Sequence, residues 1–153
     1  MEIALYEPQI PQNSGNIARL CAATNTPLHF IGKLGFSLSD KYLKRAGLDY
    51  WEFVDYKVWK SFDSFHEYCS DKTIYLATSK GKVIYSDVIY QKDDILLFGS
   101  ETTGLNDYIL SMFESKYKIK IPFVNVRCLN LSNSVSIILY EALKQQKFDN
   151  LLK

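Results

Sequence analysis

Three stretches of the chain carry side chains whose types and spacing could do chemistry. In "LFGSETTGL", residues 97–105, one carboxylate, Glu101, stands between Gly99 and Gly104. The two glycines have the spacing of a phosphate-binding P-loop. Leu105 occupies the place of the required Lys, so that chemistry is excluded. Two readings stay open: a tight strand-to-helix turn with a solvated Glu, or a loop whose glycines let backbone approach a ligand closely. In "PQNSGNIAR", residues 11–19, Asn13 or Ser14 can cap a helix and Gly15 relaxes its first turn. Arg19 falls off the apolar stripe of that helix. A guanidinium near a helix N-terminus opposes the dipole, and a bound phosphate or carboxylate would relieve the conflict. A solvated Arg accounts for it equally well. In "RCLNLSN", residues 127–133, Arg127, Cys128, Asn130, Ser132 and Asn133 crowd against the start of an apolar helix. Ser132 and Asn133 can cap it, but one cap does not need them all. A polar loop after a buried strand more often lines a site than fills a core.

The elements that must position these loops alternate along the chain. "EIALYE" reads as a strand and "NSGNIARLCAATN" as a helix, with Ile17, Leu20, Cys21 and Thr24 at helical spacing. "PLHFIG", "VDYKVW", "TIYLATS", "DDILLFGS" and "YKIKIP" read as further strands. "SDKYLKRAG", "SFDSFHEYC" and "NDYILSMF" read as helices, the first with Ser39 as N-cap and Gly47 as stop. The closing helix runs from about Ser132 to Gln146, with Val135, Ile138, Leu139 and Ala142 on one stripe. Alternating strands and helices predict an α/β fold with a mostly parallel sheet flanked by helices on both faces. Ligands of such sheets sit beyond the carboxyl ends of the strands, where the three loops would lie.

Composition narrows the class. The 153 residues predict one domain, 1–153, that needs neither disulfide nor metal to hold its core. Cys21, Cys69 and Cys128 are odd in number and far apart. His29 and His66 match no ligand pattern, and no GxGxxG is present, so no metal site is expected. No apolar run is long enough to span a membrane, and "MEIALYEPQIPQ" is not a signal peptide, which predicts a cytoplasmic protein. A net charge of +1 does not advertise nucleic-acid binding, although a local patch escapes that measure. Lys41, Lys44 and Arg45 lie on one helical face, as a solvated surface or as phosphate contacts.

Taken together and in order, "NSGNIAR", "LFGSETTGL" and "IP…RCLNLSNSVSIILYEALKQ" resemble the three motifs of the SPOUT methyltransferases, in the branch that methylates ribose 2'-hydroxyls. "LYEPQIPQNSGNIARLCAAT" and "LKRAGLDYWEF" resemble the small single-domain members acting on the wobble nucleotide of tRNA, cytidine or uridine 34. The resemblance covers nearly the whole chain. It implies a C-terminal deep trefoil knot, a homodimer, and S-adenosylmethionine as methyl donor, leaving as S-adenosylhomocysteine, with no metal. Matched motif by motif, it implies a cofactor site at Ala77, Thr78, Gly99, Ile121, Cys128 and Leu129. It implies a reacting set of Asn13, Arg19, Glu101, Asn130 and Ser132. The tRNA anticodon stem-loop is the implied partner, with Lys41, Lys44, Arg45, Lys80 and Lys82 as phosphate contacts. Two departures stand out: Cys128 replaces the Ser usual in the family, and the loop from Pro122 to Arg127 is slightly shorter. A methyltransferase for ribosomal RNA or another tRNA position is the alternative enzyme. A non-catalytic RNA-binding module of the same fold is the alternative outside enzymes.

Overall fold

The structure, a computed structural model, describes residues 1–39, 50–149 and 151. Its strands are β1 (Glu2–Tyr6), β2 (Leu28–Ile31), β3 (Tyr56–Trp59), β4 (Ile74–Ala77), β5 (Val83–Ile84), β6 (Ile95–Phe98) and β7 (Lys118–Lys120). Its helices are α1 (Pro11–Thr24), α2 (Phe62–Tyr68), α3 (Asp107–Ser111) and α4 (Leu131–Gln145). The strands form one sheet in the order β3-β2-β1-β6-β4-β7-β5, and every pairing is parallel. Two strands therefore enter between neighbours made earlier: β6 between β1 and β4, and β7 between β4 and β5.

The pleat explains the layering. Along β1, Ile3 and Leu5 point to the face covered by α1 and α4, where they meet Ile17, Cys21, Val135 and Leu139. Ala4 points to the other face, with Phe62 and Phe65 of α2 and Ile109 of α3. Central strands buried on both faces are apolar throughout: all four residues of β2 and all four of β6 are buried. α1 ends at Asn25, which adopts the left-handed conformation that a short polar side chain tolerates (φ 49°). The N–H of Thr26 then returns to the Cys21 carbonyl.

Several expectations shift by identifiable causes. Neither Asn13 nor Ser14 caps α1, because the helix begins earlier, with Pro11 in its first turn and Ile10 as N-cap. Both residues are instead buried inside the first turns. Ser14 Oγ has no partner among the described residues. α4 is capped by Asn130, not by Ser132 or Asn133. The Asn130 Oδ1 accepts from both of their N–H groups, at 2.9 and 3.4 Å. Strand β5 was not expected, as two residues carry no readable period. The helix expected over "SDKYLKRAG", with Lys41, Lys44 and Arg45, lies outside the described residues.

Candidate active site

Because the sheet is parallel, the carboxyl ends of β1, β4, β6 and β7 share one edge, and a cleft of about 610 Å³ opens there. Ala77 and Thr78 reach it from the end of β4, Gly99 and Glu101 from the loop after β6, and Ile121 from the end of β7. Cys128, Leu129 and Asn130 reach it from the run into α4, and Asn13 from the first turn of α1. Lys80 stands at the rim in an exposed 3.1 Å ion pair with Asp107, and Lys82 is exposed nearby. Of the reacting residues singled out in the sequence, Arg19 stands apart from the cleft and from this rim, and Ser132 does not line the cleft itself but bonds to Asn130, which does.

The polar residues of the three loops are joined end to end. Glu101 Oε2 accepts from the N–H of Gln9 at 2.8 Å. Its Oε1 accepts from the N–H of Ile10 at 3.2 Å and from Asn13 Nδ2 at 3.1 Å. A carboxylate thus serves the amino end of α1 from a loop about ninety residues away, which is why no local cap was needed. The carboxylate accepts only, so the Asn13 amide must turn its NH₂ to Glu101 and its Oδ1 the other way. That Oδ1 receives Asn130 Nδ2 at 2.9 Å. Asn130 must then face α4 with its own Oδ1, which takes the Ser132 N–H and the Ser132 hydroxyl at 2.9 and 2.7 Å. One charge fixes the orientation of two amides and the start of a helix. Asn13, 6% exposed, is the buried link.

Gly99 is explained by the loop itself. A Cβ there would lie 2.1 Å from the Gly104 carbonyl carbon and 2.2 Å from the Leu105 nitrogen. The loop doubles back so tightly that Ser100 and Gly104 bridge, the Gly104 N–H reaching the Ser100 carbonyl at 2.9 Å. Of the two readings open for these glycines, the tight turn holds at Gly99, which also lines the cleft. Ser100 Oγ and Thr103 Oγ1, 2.8 Å apart, brace the turn.

The position of Arg19 also corrects a premise. With α1 starting at Pro11, Arg19 lies in the third turn, so there is little conflict with the dipole. It is exposed on the outer face, where its guanidinium carbon sits 4.7 Å from the centre of the Tyr50 ring. Sequence reasoning passed over Tyr50, which lies outside the cleft, and over Ser79 and Phe123, which line it, whereas Arg127 and Ser134 of the polar run at the start of α4 do line the cleft. Phe123 lies in the loop 122–127, whose apolar composition was the available signal.

Cys21 and Cys69 are buried free thiols, and burial pushes both up, Cys69 to about 12, so neither is a reactive thiolate. Cys128 is free and exposed at the cleft. Among the described residues, no three His, Cys, Asp or Glu side chains converge as a metal site, and no helix is long and apolar enough to cross a membrane.

Residues 1–140 match the SpoU rRNA Methylase family. The chain belongs to that family. Among similar proteins is the tRNA (cytidine(34)-2'-O)-methyltransferase of Escherichia coli (strain K12), 46% identical over 146 residues, covering 95% of this chain and 93% of that one. The enzyme of the same name from Methylovorus glucosotrophus is 43% identical over 148 residues, covering 96% of each. A solved structure described by the 2-OH methylation of C/U34 on tRNA superposes with a TM-score of 0.91 at 41% identity, covering 95% of each chain. The SpoU methyltransferase AviRb from Streptomyces viridochromogenes, in complex with AdoMet, is 21% identical with a TM-score of 0.87. It covers 96% of this chain and 60% of that one, and speaks for the shared fold alone.

Proposed function

We propose that this SpoU-family protein transfers a methyl group from S-adenosylmethionine to the ribose 2'-hydroxyl of nucleotide 34, the wobble position in the anticodon loop of tRNA, releasing S-adenosylhomocysteine. The observation that carries this reading is near-full-length identity, at 43–46%, to enzymes named for that reaction. The three converging loops supply a place for it.

The cleft suits the cofactor in size, since pockets of about 300–1,000 Å³ hold ligands of this class. It suits it in chemistry as well. The main-chain N–H groups of Cys128 and Leu129 make no hydrogen bond among the described residues, and the lining at Ala77, Thr78, Gly99 and Ile121 is small or apolar. In this reading those six residues hold adenine and ribose largely through backbone, so replacing Ser by Cys128 is tolerated. Bound, the cofactor supplies an electrophilic methyl group on a sulfonium sulfur, which needs no metal.

What remains for the protein is to bring the 2'-hydroxyl into line and to assist loss of its proton. Alignment of this kind contributes up to ~7–11 kcal/mol in the best intramolecular cases. Asn13, Asn130 and Ser132 are read as the groups that fix the cleft wall beside the ribose. Glu101, with three N–H donors on its two oxygens, is read as their anchor rather than as a free base. Arg19, a permanent cation with planar donors, is read as the contact to the target nucleotide's phosphate. Lys80 and Lys82 are read as further phosphate contacts on the rim.

The same reading makes the chain a single domain that works as a homodimer. Packing of α1 on α4, with Ile137 and Tyr140 exposed on the outer side of α4, supports a two-fold contact through these helices. It also makes the C-terminal segment threaded as a trefoil knot, which the entry of β7 between β4 and β5 supports.

The test is methylation of purified tRNAs with labelled S-adenosylmethionine, followed by mapping of the modified ribose. Label at nucleotide 34 is expected. Label only elsewhere in tRNA, or only on ribosomal RNA, refutes the assignment.

A further inference from the structure

We propose that Tyr50 is a positioning residue for Arg19: its ring holds the guanidinium in one plane, with the donor edge free to meet the target nucleotide. The inference rests on the reading of Arg19 given above and adds to it the group that makes Arg19 directional.

Arg19 has no carboxylate within ion-pair distance among the described residues. A long side chain on an exposed helix face would otherwise sample many rotamers. Tyr50 supplies the missing constraint. Its ring centre is 4.7 Å from the guanidinium carbon, within cation–π range. The hydroxyl adds little: it stands 3.5 Å from an Arg19 terminal nitrogen, at the outer limit of a hydrogen bond. With the guanidinium carbon over the ring, the N–H donors other than the one directed at the hydroxyl stay available.

The platform is itself anchored. Tyr50 opens the 3-10 turn Trp51–Phe53, which packs on α1, and its carbonyl accepts the Phe53 N–H at 3.0 Å. Trp51 lies against Tyr56 at 5.1 Å, and Tyr56 meets the fully buried Phe30 edge-on at 6.2 Å. A line of aromatic rings thus runs from the core of the sheet to the turn that carries Tyr50. This turn closes "LKRAGLDYWEF", of which residues 50–53 are described.

The test reads kcat for tRNA methylation in the full-length protein. Tyr50→Phe should stay within twofold of wild type. Tyr50→Leu should lose at least tenfold in kcat with the KM for S-adenosylmethionine changed less than twofold, and Tyr50→Met serves if that variant does not fold. Phenylalanine analogues with one, two or three ring fluorines, placed at position 50, weaken the π face at nearly constant shape. kcat should fall stepwise along that series, which a merely structural ring would not produce. A flat fluorine series, or wild-type kcat in the ringless variants, overturns the proposal. Arg19→Ala is run alongside. Retained turnover there removes the reading of Arg19 itself, whereas an inactive Arg19→Ala with a flat series removes only Tyr50.

Discussion

Glu101 shows how much one carboxylate can organise. It sits in a glycine-flanked loop, yet its partners are the backbone at Gln9 and Ile10 and the amide of Asn13. Glu101→Gln keeps the shape but turns an NH₂ toward donors, leaving at least one N–H unmatched. An unsatisfied group of this kind costs about 1–3 kcal/mol. We expect a loss of that size in urea unfolding, together with reduced methyl transfer. A variant as stable and active as wild type would show that the carboxylate does not tie the loops. At the opposite edge of the sheet, Glu2 meets His29 Nε2 at 2.8 Å and also pairs with Lys72, while Trp59 Nε1 donates to His29 Nδ1 at 3.0 Å. Trp59 thereby leaves Nε2 as the nitrogen that donates to Glu2. Desolvation pushes the Glu2 carboxyl up, but the hydrogen bonds from His29 and Lys72 and the charge of Lys72 outweigh it and bring it to about 2 from an ordinary 4.5. A depressed folded value means stabilisation that is complete above the ordinary value and drains away as pH falls from 4.5 toward 2. Glu2→Gln should therefore cost about 2 kcal/mol at neutral pH, with the gap to wild type closing in acid. A gap independent of pH would contradict the assignment.

Elements were legible where a period or a single strong residue defines them, and illegible where a distant group does. The apolar run before Gly99 reads as a buried strand, and β6 is one. Ser61 and Asn106 stand just ahead of α2 and α3 and cap them. The amino end of α1 defeated local reasoning because its partner is Glu101. That of α4 was misplaced: Ser132 and Asn133 were the expected caps, but Asn130 takes the role, its amide oriented by the bond to Asn13. Tyr50 was invisible for the same reason, its partner lying 31 residues earlier. The loop after β6 gives a prediction at this scale. Gly99→Ala places a methyl group inside the Gly104–Leu105 backbone, so the turn must open. We expect about 3 kcal/mol of destabilisation and much weaker S-adenosylmethionine binding by calorimetry, in the range of severe overpacking. Unchanged affinity would mean that the turn has slack that its geometry denies.

At the scale of the molecule, the parallel α/β class follows from alternation, but the order of the strands does not, because parallel neighbours need not be sequential. The proposed dimer belongs here too. Sedimentation should give twice the monomer mass at micromolar concentration, with an interface of at least ~1,000 Å². Tyr140→Glu on the outer face of α4 should shift the mass toward monomer, and a fully active wild-type monomer would refute the dimer. The entry of β7 between β4 and β5 bears on synthesis as well as on architecture. Among the described residues β5 pairs only with β7, and Gly81 lets the two segments close, since a Cβ there would stand 2.8 Å from the Ile119 carbonyl. A nascent chain that has emerged only as far as α3 therefore holds β4 with one side unpaired and β5 with no partner at all. The slot must be kept open until the ribosome has released residues 118–120, and α4 with them. The amino-terminal three-quarters of this protein cannot rehearse its final sheet during translation. The segment from β7 onward, which brings Ile121, Cys128, Leu129 and Asn130 to the cleft, completes sheet and site in the same event.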